Sequence, residues 1–450
     1  MANFTTDASI CIERTLETKS VDNFGDISKD YEIPRICKWI TENNFSRVCL
    51  QFPDEMLGVS ANVYKEIKKV VDVDLYILGD TSYASCCVDS VAAMHVQGEA
   101  VVHYGRSCFS KTNISLLTVL PRSPLNVDLI QSVDGLDNNT CLFYDAEYDH
   151  CKDTLSRLWF AKYPHSYIAY IELEEQQERF LGRVVRDSGN NVISMEQLQD
   201  CSCIYLGRRG QTLFNYTISI PAKSWQLLDP ESLKLEKMDE TMWFKRRRFL
   251  VEKCKDAKVV GILICKLSGD QTKDIITRLK DLCKLNHKKS YIVSVGKPNV
   301  AKLANFPEID IYVMVACPEN DLYSSRDFYK PIVYPYELEV ALNSTRSPAN
   351  THITDFDEML PGRRHYSNIE PNNTADVSLI TGKIRDVANK ELTSNSSDLV
   401  AKENWVLSEI GGLLSQRSWR GLEQNLGETE VKLAEEGRKG IPLQYQNEPE

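Results

Sequence analysis

The amino-acid sequence predicts an α/β protein made of three similar units, each a β-α-β-α-β arrangement with a parallel sheet. Short apolar runs of strand length alternate with helix-length amphipathic stretches from residue 35 to residue 317. The alternation recurs at a spacing of roughly 105 residues, which indicates a repeated architecture. Sequence identity between the units is negligible, so only the architecture repeats.

The first unit shows the alternation most clearly. Residues 35–45 are predicted to be helical, and the run SRVCLQF at 46–52 is predicted to be a buried strand. The elements that follow are a helix at NVYKEIKKVV, a strand at VDLYILG, a helix at CVDSVAAMHV and a strand at EAVVHYG. Strands in this order form a parallel sheet covered on both faces.

The second and third units repeat this pattern and fix the predicted domain boundaries. Strands are predicted at 140–149, 166–173 and 203–207, a long amphipathic helix at 238–257, and further strands at 257–265, 290–296 and 309–317. The predicted divisions are a polar N-terminal segment at 1–30, α/β domains at 31–130, 131–237 and 238–345, and a linker with a C-terminal extension at 346–450.

Beyond residue 343 the composition changes. Residues 344–379 are rich in Ser, Thr, Asn and Pro, which favours an extended linker. Residues 346–400 are therefore expected to bury little area and to tolerate shortening. The stretch ENWVLSEIGGLLSQRSWRGLEQNLG regains order signals, so the tail is predicted to be a peripheral, partly disordered extension without its own core.

Composition and charge exclude several functional classes. The chain has 450 residues and a net charge of −11, whereas a sequence-independent nucleic-acid binder would be basic. Apolar runs do not reach the roughly 18 residues of a membrane span. The N-terminus lacks the pattern of a secretory signal, so we expect a cytoplasmic protein whose 14 cysteines are reduced.

A few of these cysteines lie where ligands are usually held. Cys86 and Cys108 follow predicted strands of the first unit, and Cys317 ends the last strand of the third. Sites in open α/β sheets form at the carboxyl ends of strands, and thiolates suit iron–sulfur clusters or zinc. Cys87 is an alternative to Cys86. Spacing alone leaves open the other interpretation, in which all of them are small buried core residues.

Other candidate residues favour structural roles. Cys201 and Cys203 lie two apart in a strand and point to one face, so they are predicted to be core residues. The loops GRRG and LSGDQ follow strands but match no phosphate-binding motif, which favours simple turns. His103 has no visible Ser or Asp companion, so a hydrolase triad is not predicted.

Several motifs together resemble the diphthamide synthesis family, which makes the first modification on a histidine of translation elongation factor 2. They are QFPDE, GDTSYASCCVD, HYGRSC, KLANFPEIDIYVMVACPEN and FYKPIVYPYELEVAL. The tail LLSQRSWRGLEQNLGETEV is similar to the accessory subunit of the eukaryotic heterodimeric members. The resemblance covers residues 31–343 and implies three α/β domains around a pseudo-threefold centre.

The resemblance also implies a cofactor and its ligands. Catalytic members hold a [4Fe-4S] cluster that cleaves S-adenosylmethionine to a 3-amino-3-carboxypropyl radical. Their first-domain and third-domain ligands correspond to Cys86 and Cys317. The accessory type uses a second first-domain cysteine, which corresponds to Cys108.

Two departures from the catalytic pattern imply an accessory role. The catalytic third-domain motif has Arg and Trp, whereas this chain has ACPENDLYSS, and no Gly-Cys-Thr/Asn motif occurs between residues 140 and 240. The resemblance then implies a cluster that relays electrons to a paralogous catalytic subunit. The implied partners are that subunit, elongation factor 2, and a small iron-containing electron donor with its reductase. Two alternatives stay open: a radical-generating subunit, or a scaffold that holds zinc or nothing.

Overall fold

The computed structural model describes residues 26–385 and the pairs 440–441 and 444–445. Its internal gaps are 80–84, 111, 128, 134–138, 173–179, 239–240, 266–270, 297, 325–326, 347–351 and 373–375. Most of the polar N-terminal segment, and the stretch ENWVLSEIGGLLSQRSWRGLEQNLG, lie outside the described residues. In the part of the chain that is described, we find no helix long and apolar enough to cross a membrane.

Nineteen strands and eleven α-helices are described. The strands are β1 Arg47–Gln51, β2 Asp74–Leu78, β3 Ala100–Tyr104, β4 Ser115–Val119, β5 Thr140–Tyr144, β6 Tyr167–Ile171, β7 Arg183–Asp187, β8 Val192–Ile193, β9 Ser202–Leu206, β10 Ser224–Leu228, β11 Leu235–Lys237, β12 Val259–Ile264, β13 Lys289–Ser294, β14 Ile311–Val315, β15 Ile332–Val333, β16 Asp376–Val377, β17 Ile384–Arg385, β18 Gly440–Ile441 and β19 Gln444–Tyr445. The helices are α1 Ile27–Asp30, α2 Ile33–Glu42, α3 Leu57–Val70, α4 Ser90–His95, α5 Leu129–Ser132, α6 Lys152–Lys162, α7 Gln211–Ser219, α8 Thr241–Asp256, α9 Gln271–Leu285, α10 Val300–Ala304 and α11 Pro335–Leu342. Residues 391–450 form a separate unit, of which the antiparallel hairpin β18–β19 is described.

The first sheet is four-stranded and parallel, in the order β2-β1-β3-β4. Alternate residues of each strand face opposite sides of the sheet. Val48 and Leu50 pack with helices α2 and α3, whereas Cys49 packs on the other face, where Ala93 of α4 lies. Helix α4 begins directly after a loop because the Asp89 side chain accepts a hydrogen bond from the N–H of Ala92.

The second sheet is larger than predicted. It has seven strands in the order β11-β10-β9-β5-β6-β7-β8, of which β5, β6, β9 and β10 run parallel. The predicted parallel sheet is present, and β7, β8 and β11 extend it at its two edges in antiparallel fashion. The sequence carries a turn signal for β7–β8: Asp187 accepts from the N–H of Gly189 and of Asn191, and Asn190 has a φ of 65°.

The third sheet is parallel, in the order β13-β12-β14-β15. Its core also takes in residues from beyond the predicted boundary: Phe356, Met359 and Leu360 are buried in it. The expectation that 346–400 buries little area is therefore wrong for this stretch. Apolar side chains spaced three and four apart after a polar segment were the missed signal.

Helix α7 lies between the second and third sheets. Its Leu213 and Tyr216 belong to the core of the second sheet, while Phe214 and Ile218 belong to the core of the third. Residues 213–219 of this helix are all buried, the polar ones included, because the helix is covered from both sides. The helix is consequently held between the cores of the second and third sheets.

Candidate metal centre

Four cysteines converge on one point of the structure. The sulfur atoms of Cys86, Cys87, Cys108 and Cys317, here called the four-thiol group, all lie within 4.8 Å of one another. The distances between sulfurs are 3.4 Å for Cys86 and Cys317, 3.8 Å for Cys87 and Cys108, and 4.0 Å for Cys86 and Cys87. Cys108 is half-buried and the other three are buried, so the group opens to solvent on the Cys108 side.

The fold explains why residues so distant in sequence meet. Cys86 and Cys87 follow β2, Cys108 follows β3, and Cys317 follows β14. Each therefore lies beyond the carboxyl end of a strand, where parallel sheets place their sites. The N–H of Cys108 donates to the carbonyl of Cys86 at 3.1 Å, which joins the two loops of the first sheet. The structure thus brings together the three predicted cysteines and also the predicted alternative, Cys87.

Two buried polar side chains of the first sheet hold the loop of Cys86 and Cys87. The Gln51 amide donates to the Cys87 carbonyl at 2.8 Å and accepts from the N–H of Asp89 at 2.9 Å. The ring Nε2 of His103 lies 3.0 Å from the carbonyl oxygen of Ser85. Gln51 is the last residue of β1 and His103 the last but one of β3. A polar residue near the end of a buried apolar strand was the sequence signal for this role.

A second set of polar side chains holds the loop of Cys317. Asn215 of α7 donates to the Pro318 carbonyl at 2.8 Å, and Thr212 donates to the Glu319 carboxylate at 2.6 Å. The N–H of Asn320 donates to the Cys317 carbonyl at 3.2 Å and closes a turn. No local sequence pattern indicates these helix residues, because their contact partners lie more than 100 positions away.

The electrostatic environment disfavours free thiolates in the metal-free protein. Hydrogen bonding to the Cys108 thiol, together with burial, raises the pKa of both Cys86 and Cys317 well above the usual value for cysteine. Burial likewise raises the pKa of the Glu319 carboxyl nearby. Bringing several thiolates together therefore requires a cation to compensate their charge, which a metal ion or metal cluster supplies.

A charged network borders the thiols on the side of the second sheet. Arg106, two residues before Cys108, contacts the buried Asp145 carboxylate at 3.0 Å. The hydroxyl of Tyr205 donates to the same carboxylate at 2.8 Å. Asp145 follows the end of β5, so the second sheet presents its carboxyl edge to the same region.

The other candidate residues have structural roles. Cys201 and Cys203 are fully buried in the core of the second sheet, which confirms the prediction for them. The two arginines of GRRG form exposed ion pairs, Arg208 with Glu231 and Arg209 with Glu236. Exposed pairs of this kind contribute little stability. Most of the LSGDQ loop lies outside the described residues.

The fold and the site define an α/β protein in which the carboxyl edges of parallel sheets supply four converging thiols, a donor set suited to a metal ion or an iron–sulfur cluster. The chain belongs to the family described as "Putative diphthamide synthesis protein", whose pattern matches residues 52–352. The family identified from the motifs is thereby confirmed.

Relatives named 2-(3-amino-3-carboxypropyl)histidine synthase subunit 2 match nearly the whole chain. The protein from Gallus gallus is 36% identical, and the match covers 99% of this chain and 98% of that protein. The protein from Schizosaccharomyces pombe is 33% identical, with 94% of this chain and 92% of that protein covered. These relatives are the histidine synthase subunit 2 of diphthamide biosynthesis.

Solved structures show the same fold. The crystal structure of Dph2 from Pyrococcus horikoshii superposes with a TM-score of 0.56 at 18% identity, covering 76% of this chain and 97% of that one. A second crystal structure of that protein, with a 4Fe-4S cluster, gives a TM-score of 0.55 at 18% identity over 74% of this chain and 95% of that chain. At this identity the likeness supports the α/β fold and nothing finer.

Proposed function

We propose that this chain is the accessory iron–sulfur subunit of the 3-amino-3-carboxypropyltransferase that performs the first step of diphthamide biosynthesis. The convergence of the four-thiol group carries the proposal. A [4Fe-4S] cluster held there would take up one electron at a time and hand it to a partner. The four thiols would bind the cluster, and the side chains of Gln51, Asn215 and Thr212 would hold the loops that carry them.

The donor set fits such a cluster in number and chemistry. Iron–sulfur clusters are held by four cysteine thiolates in the simplest case, and four thiols are present. We assign Cys87 as the fourth ligand beside Cys86, Cys108 and Cys317. Because four thiolates complete the ligand set, S-adenosylmethionine would find no open coordination position here.

The residues around Cys317 support the accessory role over the catalytic one. Where the motif of catalytic members has Arg after Cys-Pro, this chain has Glu319. Its carboxylate accepts hydrogen bonds from Thr212 and Asn215 and is therefore committed to holding the loop.

The second candidate function is a zinc-holding scaffold for the paralogous partner, and the sulfur spacing favours it. Four thiolates on one tetrahedral zinc ion at about 2.3 Å lie about 3.8 Å apart. The neighbouring sulfurs here are 3.4–4.0 Å apart. A four-iron cluster needs a wider opening, because each thiolate binds a different metal atom.

Metal analysis after anaerobic purification separates the two candidates. We expect close to four irons and four sulfides per chain, with the broad brown absorbance of an iron–sulfur cluster. A colourless protein with one zinc per chain would contradict the electron-relay function and support the zinc-holding scaffold. Cleavage of S-adenosylmethionine by the isolated chain would instead make it a catalytic subunit.

The proposed relay requires partners of defined chemistry. The electrons would come from a small iron-containing donor protein with its reductase and go to a paralogous catalytic subunit in a heterodimer. The complex would act on a histidine of elongation factor 2 in the cytoplasm. The net charge of −11 favours protein partners over nucleic acid.

A further inference from the structure

Helix α7 packs against the second sheet but binds the loop that carries Cys317. Among the described residues, the second sheet and its helices contribute no thiol to the four-thiol group. The Asn215 amide nevertheless donates to the Pro318 carbonyl at 2.8 Å and to the Glu319 carboxylate at 3.1 Å. Thr212, on the same helix, donates to the other carboxylate oxygen of Glu319 at 2.6 Å.

Gln211 extends these contacts to Tyr334, the residue directly before helix α11. Its amide lies 3.3 Å from the Pro318 carbonyl and 2.9 Å from the hydroxyl of Tyr334. Tyr334 stacks on Tyr323 with ring centroids 3.6 Å apart, which anchors that end of the network. The Gln211 amide also donates to Asn215 at 3.0 Å, so the donors support one another.

The geometry suits a positioning device, because the donors are rigid and the acceptor belongs to a short loop. Asn215 is fully buried, and its helix packs against two cores. Two amides donate to one carbonyl, directly after the thiol residue. Since all three helix side chains are neutral, they fix the loop without placing a charge beside the thiols.

We propose that Gln211, Thr212 and Asn215 are positioning residues that hold the Cys317 thiol in reach of Cys86. By this contact, helix α7 of the second sheet sets the accessibility and metal retention of a site to which the described residues of that sheet supply no thiol. The statement about metal rests on the proposed function, whereas the statement about the position of the thiol does not.

The test measures thiol accessibility in the reduced, metal-free full-length chain. Iodoacetamide labelling, read by mass spectrometry, gives the alkylation rate of Cys317, with the core thiol Cys203 as the reference for general loosening. We expect Asn215→Ala to raise the Cys317 rate roughly tenfold, the factor for about 1.4 kcal/mol, which is near the net worth of a buried hydrogen bond. Thr212→Val, nearly isosteric, should raise it severalfold.

Asn286→Ala is the matched control, because Asn286 is also a buried asparagine with side-chain bonds to backbone, to Leu282 and Asn372. It should leave the Cys317 rate unchanged. An unchanged Cys317 rate in Asn215→Ala, or a rise shared equally by Cys203, would overturn the proposal. Should Asn215→Ala fail to fold, an unchanged rate in Thr212→Val would overturn it equally.

A second measurement reads metal retention in the loaded protein. Iron loss to a chelator should be severalfold faster in Asn215→Ala and Thr212→Val than in Asn286→Ala, and equal rates in all three would overturn the metal part of the proposal. If the wild-type chain binds no iron, the proposed function fails. The alkylation rates still decide whether helix α7 positions Cys317.

Discussion

At the scale of single residues, the thiols differ in what surrounds them rather than in their chemistry. Cys317 and Cys203 are both almost fully buried. Cys317 is one of four thiols that converge at strand ends, 3.4 Å from Cys86, whereas Cys203 lies with Cys141 and Cys201 inside the core of the second sheet. Burial alone makes a cysteine a small hydrophobic residue, and only convergence makes it a ligand.

We therefore expect the single variants Cys86→Ala, Cys87→Ala, Cys108→Ala and Cys317→Ala each to lose most of the bound iron. Removing one of four thiolates leaves an incomplete ligand set, which typically lowers metal content severely. Iron and sulfide per chain, determined after anaerobic purification, check this. The controls Cys201→Ala and Cys203→Ala should keep full iron.

Two outcomes would change the assignment. Full iron in any one of the four variants removes that residue from the site. Loss of iron in Cys87→Ala together with retention in Cys86→Ala would make Cys87 the ligand and Cys86 a neighbour.

Much of this site could be predicted from the sequence at residue scale. Cys86, Cys108 and Cys317 follow apolar runs, and the carboxyl ends of parallel strands share one edge of a sheet. Gln51 and His103 could have been noticed as polar residues in buried strands. The role of Asn215 could not, since a contact to Pro318 across 103 positions leaves no local pattern.

At the scale of elements, residues 352–360 differ from the prediction, because they were expected to be an exposed linker and are partly buried. The segment has linker composition on both sides, yet Phe356 and Met359 complete the third core. The N–H of His352 donates to the Ile218 carbonyl at 2.8 Å, so the segment also contacts the end of α7. The linker prediction rested on the average composition of a long segment, and this average did not reveal the buried turn Phe356–Met359.

Met359→Ala should lower the free energy of unfolding by about 2–5 kcal/mol, the usual cost of truncating a fully buried methionine. Urea denaturation followed by fluorescence measures the change. Leu379→Ala is the control from the same predicted linker, because Leu379 is 81% exposed and its loss should cost less than about 0.5 kcal/mol. Equal free energies of unfolding for the two variants would contradict a role of Met359 in the third core and would support a linker at 346–400.

At the scale of the whole molecule, the repeated α/β order predicted the three parallel-stranded layers but not how they cooperate. The periodicity of apolar runs reports which strands are buried. It does not report that α7 belongs to two cores, or that thiols come from the first and third layers alone among the described residues. Those features depend on how the sheets and their helices pack against one another. Such contacts join residues far apart in the chain and leave no local sequence pattern. The exact domain boundaries remain a prediction.

Division of labour in the complex gives the last prediction. Passing an electron needs close approach and a suitable potential, whereas radical chemistry also needs an open metal position and groups that orient S-adenosylmethionine. A site with four thiol ligands suits electron transfer, but it leaves no open metal position for radical chemistry. The variant pair Cys86→Ala plus Cys317→Ala should therefore abolish transfer to elongation factor 2 by the heterodimer when a physiological donor supplies the electrons.

With dithionite, which can reduce the catalytic subunit directly, the same heterodimer should retain most of its activity. The pair Cys201→Ala plus Cys203→Ala, which removes two thiols from the core of the second sheet, serves as the matched control and should be active with both reductants. Assembly is followed by size-exclusion chromatography, so that a lost partner is not mistaken for a lost electron. If activity disappears with dithionite as well while the heterodimer stays assembled, the thiols take part in the chemistry itself and the relay role is wrong.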